Sequence, residues 1–154
     1  MILDLFVDRF KAEMKNRGFN TVYDVMNEFP TLCIYQIVNC MSGGKVPSAR
    51  KLANICFQLG LSADYLFGFS DENRKPSRDP QISERKFFET IKERSRVSFG
   101  DESLDALAEK AGVKTTALSG LKSKGQPPAI DHLYKICKTQ NISLDWLLGL
   151  SDTE

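Results

Sequence analysis

The chain has 154 residues, 42% hydrophobic and 27% charged, a balance that excludes a disordered chain. Its formal net charge of +1 argues against a blanket polyanion coater and leaves room for a local basic face. Apolar runs are only a few residues long, far short of the roughly 20 that span a bilayer. The start Met1-Ile2-Leu3-Asp4 has no basic segment of a secretory signal, so a cytoplasmic location is expected.

Chemistry-bearing residues are sparse. Cys33, Cys40, Cys56 and Cys137 contain no C-x-x-C spacing, and His132 is the one imidazole. Zinc needs clustered ligands, so no metal is expected, and the cysteines read as small core residues with free thiols. No nucleophile–base set, phosphate loop or paired carboxylates stand out. The expectation is a non-enzyme with no cofactor, no small-molecule ligand and no membrane partner.

An internal repeat organises the chain. At an offset of 81 residues, Leu52-x-x-Ile55-Cys56 falls on Leu133-x-x-Ile136-Cys137. In the same register Ser62-x-Asp64-Tyr65-Leu66-x-Gly68-x-Ser70-Asp71 falls on Ser143-x-Asp145-Trp146-Leu147-x-Gly149-x-Ser151-Asp152. Going backwards, Pro47, Gly44, Ser42, Glu28, Asp24, Lys11 and Phe6 meet Pro128, Gly125, Ser123, Glu109, Asp105, Lys92 and Phe87. This predicts two copies of one unit, residues 1–72 and 81–154. Between them, 73–80 carries two prolines, no apolar side chain other than these and a charge of +2, which is linker chemistry.

In the second unit, Ser83 can cap a first helix carrying Phe87, Phe88 and Ile91, broken at Gly100-Asp101. A second helix follows, with Leu104, Leu107, Ala108 and Ala111 on one face and Gly112 at its end. A short third helix runs from Lys114 to about Lys122, with Leu118 and Leu121 inward, until Gly125-Gln126-Pro127-Pro128 stops it. A fourth spans about Ala129 to Thr139 and buries Ile130, Leu133, Ile136 and Cys137. Ser143 caps a last one holding Trp146, Leu147 and Leu150. No stretch alternates long enough to make a strand, so the fold class is all-α, with five helices per unit.

Short helix, glycine turn, short helix is the pattern that presents its second helix to the major groove. The stretch Leu107-Ala108-Glu109-Lys110-Ala111-Gly112-Val113-Lys114-Thr115-Thr116-Ala117-Leu118-Ser119 resembles the helix-turn-helix of the XRE (lambda-repressor-like) family. The later Gly125-x-x-Pro128 and Ser143-Leu144-Asp145-Trp146-Leu147-Leu148-Gly149 fit the same resemblance. It implies two tandem lambda-repressor-like domains, the first with a degenerate motif: Phe29-Pro30-Thr31-Leu32 replaces the turn glycine.

Duplex DNA is the implied partner. From Lys110 to Ile130 there are four lysines and no acid. Cations meet phosphates, and short polar side chains reach base edges. The resemblance maps DNA contacts to Lys114, Thr115, Thr116, Ser119, Lys122 and Lys124. The amides near Ser103 could hold a phosphate. In the first unit Tyr35, Gln36 and Asn39 could touch bases, and Lys45, Arg50 and Lys51 could reach phosphates. There Ile34, Tyr35 and Val38 replace polar groups, which favours a protein contact for that face. Phe67, Phe69, Leu148 and Leu150 are further interface candidates. Both an intramolecular pseudo-dimer and a homodimer fit them.

These residues together predict a sequence-specific transcriptional regulator of bacterial or phage type, a repressor by expectation. The linker cations Arg74, Lys75 and Arg78 would add non-specific affinity. The competing reading is a protein-interaction adaptor or antirepressor.

Overall fold

The computed structural model describes residues 2–81, 83–99, 104–121 and 127–152, and these are helical with no strand. Five helices make up the first half: α1 (Ile2–Asn16), α2 (Val22–Glu28), α3 (Ile34–Ser42), α4 (Ala49–Leu59) and α5 (Ala63–Leu66). The second half holds α6 (Glu84–Phe99), α7 (Leu104–Ala111), a 3₁₀ helix (Thr115–Leu121), α8 (Ile130–Gln140) and α9 (Leu144–Leu147). Advancing α4 and α5 by 81 residues gives the bounds of α8 and α9.

Local chemistry explains this register. In α1, Phe6, Phe10 and Met14 recur every four residues and are fully buried; Phe87, Ile91 and Ser95 occupy the same rows of α6. In α4, Leu52, Ala53, Ile55, Cys56 and Leu59 are buried, and in α8 so are Ile130, Leu133, Ile136 and Cys137. Helix α4 ends at Gly60 (φ 65°) and α8 at Asn141 (φ 54°), both left-handed. Glycine has no Cβ to clash there, and asparagine tolerates that region better than other side chains. The next amides close matching bonds, Leu61 N to Cys56 O at 2.8 Å and Ile142 N to Cys137 O at 3.0 Å.

An arginine braces the end of each half from a different position. Arg9 of α1 donates to the carbonyls of Tyr65 (2.5 Å) and Ser70 (2.7 Å) and lies 4.6 Å from the Tyr65 ring centroid. Arg94 of α6 donates to the carbonyls of Trp146 and Ser151 and lies 5.1 Å from the Trp146 ring. The equivalent carbonyl is thus met from one helical turn further along, and the guanidinium keeps both a hydrogen-bond and a ring partner.

The structure refines the sequence reading in two places and corrects it in one. First, the 73–80 segment joins the halves while bonded to both. Asn73 Oδ1 accepts from Ser62 N at 2.8 Å, Ser77 N and Arg78 N donate to Leu150 O, and Pro80 is buried. Second, Cys33 is exposed at the start of α3, whereas Cys40, Cys56 and Cys137 are buried. Burial pushes the Cys40 thiol up to about 12 and raises Cys56 and Cys137 as well, so those three are poor nucleophiles. Third, the third helix of the second half winds as 3₁₀. Two β-branched threonines at its start and a glycine near its end are weak α-formers, and the tighter helix is tolerated in short pieces.

Among the described residues no helix is long and apolar enough to cross a membrane.

Candidate nucleic-acid interface and the dock between the halves

Helix α7 ends at Gly112, whose φ of 70° is left-handed. Gly112 N donates to Glu109 O (3.2 Å) and Val113 N to Ala108 O (2.9 Å), which turns the chain sharply into the 3₁₀ helix. Leu107, Ala108 and Leu118 are buried in the core, with α7 packed on α8 and the 3₁₀ helix packed on α7. Lys110, Lys114, Thr115 and Thr116 are consequently exposed together around the turn. Ser119 lies in the 3₁₀ helix, but its side chain is outside the described set. Ser103, Lys122 and Lys124 also lie outside the described residues.

The first half builds the equivalent turn without glycine. Thr21 caps α2 in a reciprocal capping box with Asp24, and two backbone bonds to that carboxylate hold it below its ordinary value. Leu32 N then donates to Phe29 O at 3.1 Å, and Leu32 is buried where Val113 stands in the second half. On α3, Ile37 and Cys40 point into the core. Tyr35 is 77% exposed and Val38 39%, while Ile34, Gln36 and Asn39 are half-buried and Lys45 is exposed. Tyr23 of α2, 70% exposed, adds an aromatic ring that the sequence reading passed over.

The four candidate interface residues at the ends of the halves are largely consumed inside the chain. Phe67, Leu148 and Leu150 are buried, and Phe69 is half-buried. Phe67 packs on Phe6 of its own half (centroids 5.1 Å) and on Tyr134 of the other (6.1 Å). Phe69 lies 5.0 Å from the same Tyr134 ring.

Alongside this aromatic contact, α5 and α9 exchange carboxylates. Ser62 and Ser143 each cap their own helix, accepting from Tyr65 N and Trp146 N at 3.1 Å. Their hydroxyl protons go across: Ser62 Oγ donates to Asp145 Oδ2 and Ser143 Oγ to Asp64 Oδ2, both at 2.5 Å. Asp145 Oδ1 also accepts from Ala63 N, and Asp64 Oδ1 from Leu144 N, both at 2.6 Å. Weaker bonds of 3.4 and 3.3 Å join Asp64 N to Asp145 and Asp145 N to Asp64. Each carboxylate therefore sits on the positive end of the opposite helix, supplying acceptors to amides that have none within their own turn. Two such anions side by side repel. Burial, with the Asp64 charge second, raises the Asp145 carboxyl to about 6.

Comparison with known proteins adds a likeness confined to part of the chain. Residues 103–147 match the helix-turn-helix family model. That segment, α7 through α9, is a helix-turn-helix domain of XRE type. Over 49 residues the chain is also 31% identical to an uncharacterized HTH-type transcriptional regulator, YobD, of Bacillus subtilis (strain 168). The aligned stretch is 32% of this chain and 44% of the relative, so the chain spans less than half of that protein's length. No solved structure matches.

Proposed function

We propose that this chain is a sequence-specific duplex-DNA-binding transcriptional regulator, acting as a repressor by occluding its site. The reading inserts the 3₁₀ helix of the helix-turn-helix domain into the major groove. The observation that carries it is the exposed face around the Gly112 turn, free of acid from Lys110 to Ile130 in sequence, where Lys110, Lys114, Thr115 and Thr116 lie within the matched motif. Lysines neutralise phosphates, while threonine hydroxyls and methyls contact base edges. The name of the Bacillus relative points the same way. On this reading the chain is two tandem five-helix units, 1–72 and 81–154, and its partner is double-stranded DNA.

Binding-site selection from random duplexes with the full chain tests the reading. A motif should be enriched, Thr115→Ala with Thr116→Ala should abolish the enrichment, and Lys114→Ala should lower the salt slope by about 1. Failure to enrich any motif at low salt would refute it. The exposed rings of Tyr23 and Tyr35 favour a second reading, a protein-interaction adaptor, which predicts that failure.

A further inference from the structure

The exchange between α5 and α9 is its own inverse. What Ser62, Ala63 and Asp64 do to the second half, Ser143, Leu144 and Asp145 do to the first. Such reciprocity is the signature of an isologous contact, in which one rotation by half a turn exchanges the partners. Homodimers make this contact between two chains; here both sides are supplied by one chain, and forming it uses up the surface. The helix order of the two halves matches, so α3 and the 3₁₀ helix hold the same place, third, in their respective halves. A DNA duplex has the matching symmetry in its backbone, which is why paired reading helices engage paired half-sites.

The paired surfaces, however, are chemically unlike. One presents Lys114, Thr115 and Thr116; the other presents Tyr35 and Val38, with the half-buried Gln36 and Asn39 at their edge. We infer that a single chain covers a non-palindromic operator made of two different half-sites, read by α3 in one half and by the 3₁₀ helix in the other. This rests on the DNA-binding reading above and specifies its substrate.

Charge supports α3 as a DNA face. From Phe29 to Ala63 the sequence has no acid, and Lys45, just after α3, and Lys51, on α4, are exposed. Of the three apolar replacements, Ile34 is half-buried, which leaves Tyr35 and Val38 outward. A valine can contact the thymine methyl, and glutamine or asparagine pairs with adenine N6 and N7. The α3 half-site is therefore A·T-rich. Lysine favours guanine O6 and N7, so the other half-site accepts G·C.

The test is site selection with the full chain, followed by native mass spectrometry of the selected complex. The expected result is two unlike half-motifs at one fixed spacing and one chain per duplex. Gln36→Ala with Asn39→Ala should relax base preference in the A·T-rich half alone, with about a tenfold loss of affinity. Tyr35→Ala, at an exposed site that cannot threaten folding, should weaken the same half. Asp64→Ala with Asp145→Ala should enrich both half-motifs at variable spacing. A palindrome carrying two chains, or a single half-motif indifferent to the α3 substitutions, would overturn the inference and leave the DNA-binding reading standing. No enrichment at all would overturn both, and would direct the search for an α3 partner to proteins.

Discussion

The two halves of the chain agree most closely at their ends and least at their third helices. Ser62-x-Asp64 and Ser143-x-Asp145 are the same motif in the same geometry, whereas Ile34-Tyr35 faces Thr115-Thr116 at the same register. Reciprocity explains the agreement. In the dock each serine donates outward while capping its own helix, and each aspartate accepts from the other half, so both sides need the same residues. An outward face has no such mirror constraint, and the two can take up different work.

Removing the largest shared anchor should hurt most. Phe67→Ala deletes a buried ring wedged between Phe6 and Tyr134 and should cost about 3–5 kcal/mol in denaturant unfolding. Phe69→Ala, at a half-buried ring, should cost less. Next in size, Asp64→Ala and Asp145→Ala each strand a serine hydroxyl and a helix-end amide of the opposite half. Each should cost about 1–3 kcal/mol, and the double variant should be non-additive because the carboxylates repel. Unequal costs would break the equivalence of the two sides.

Gly68 (φ 84°) and Gly149 (φ 78°) follow the dock helices in the same left-handed turn. Alanine at either position should cost about 1–2 kcal/mol from backbone strain, read as a drop in Tm. A Cβ at Gly68 would lie 2.7 Å from Leu5 Cδ2, but that side chain is partly exposed and can swing aside.

The dock also predicts a pH dependence. Asp145 binds its proton more tightly in the folded chain than its ordinary 3.8 allows, being raised to about 6. Its contribution is therefore fully present below 3.8 and is lost as pH rises through 6. Between pH 5 and 7.5 the loss should be about 1 kcal/mol. Asp145→Asn should flatten that part of the stability profile. The facing groups are the Asp64 carboxylate and the buried Cys56 thiol, and the latter stays protonated throughout. The smallest effect belongs to the divergent face: Tyr35→Ala should change stability by less than about 0.5 kcal/mol while altering binding.

Helix positions were legible because burial imposes a period: Phe87, Ile91, Leu133, Ile136 and Leu147 announce their faces by spacing alone. The helix-turn-helix at 103–147 was legible from Gly112 and its neighbours. The exchange of carboxylates was not, since a Ser-x-Asp motif reads equally well as a local cap, and only three-dimensional placement shows whose amides it serves. Tyr134 gave no signal either, because its counterpart at the offset of 81 is Ala53. The docking of residues 73–80 was not legible either, for a physical reason. Their docking runs through backbone amides, the Asn73 side chain and an Arg78–Asp152 pair at 3.7 Å, none of which leaves an apolar pattern. Arg74, by contrast, is exposed and pairs with Glu72 at 3.1 Å.

The reciprocal dock is tested most directly at the amides of Ala63 and Leu144. As the first residues of α5 and α9 they have no acceptor within their own helices, so their protection from hydrogen exchange depends on the carboxylate of the other half. The account predicts that both exchange slowly in the full chain. Asp145→Ala should speed exchange at Ala63 first, and Asp64→Ala at Leu144. Fast exchange at both amides in the unmodified chain, or exchange unmoved by either substitution, would contradict it.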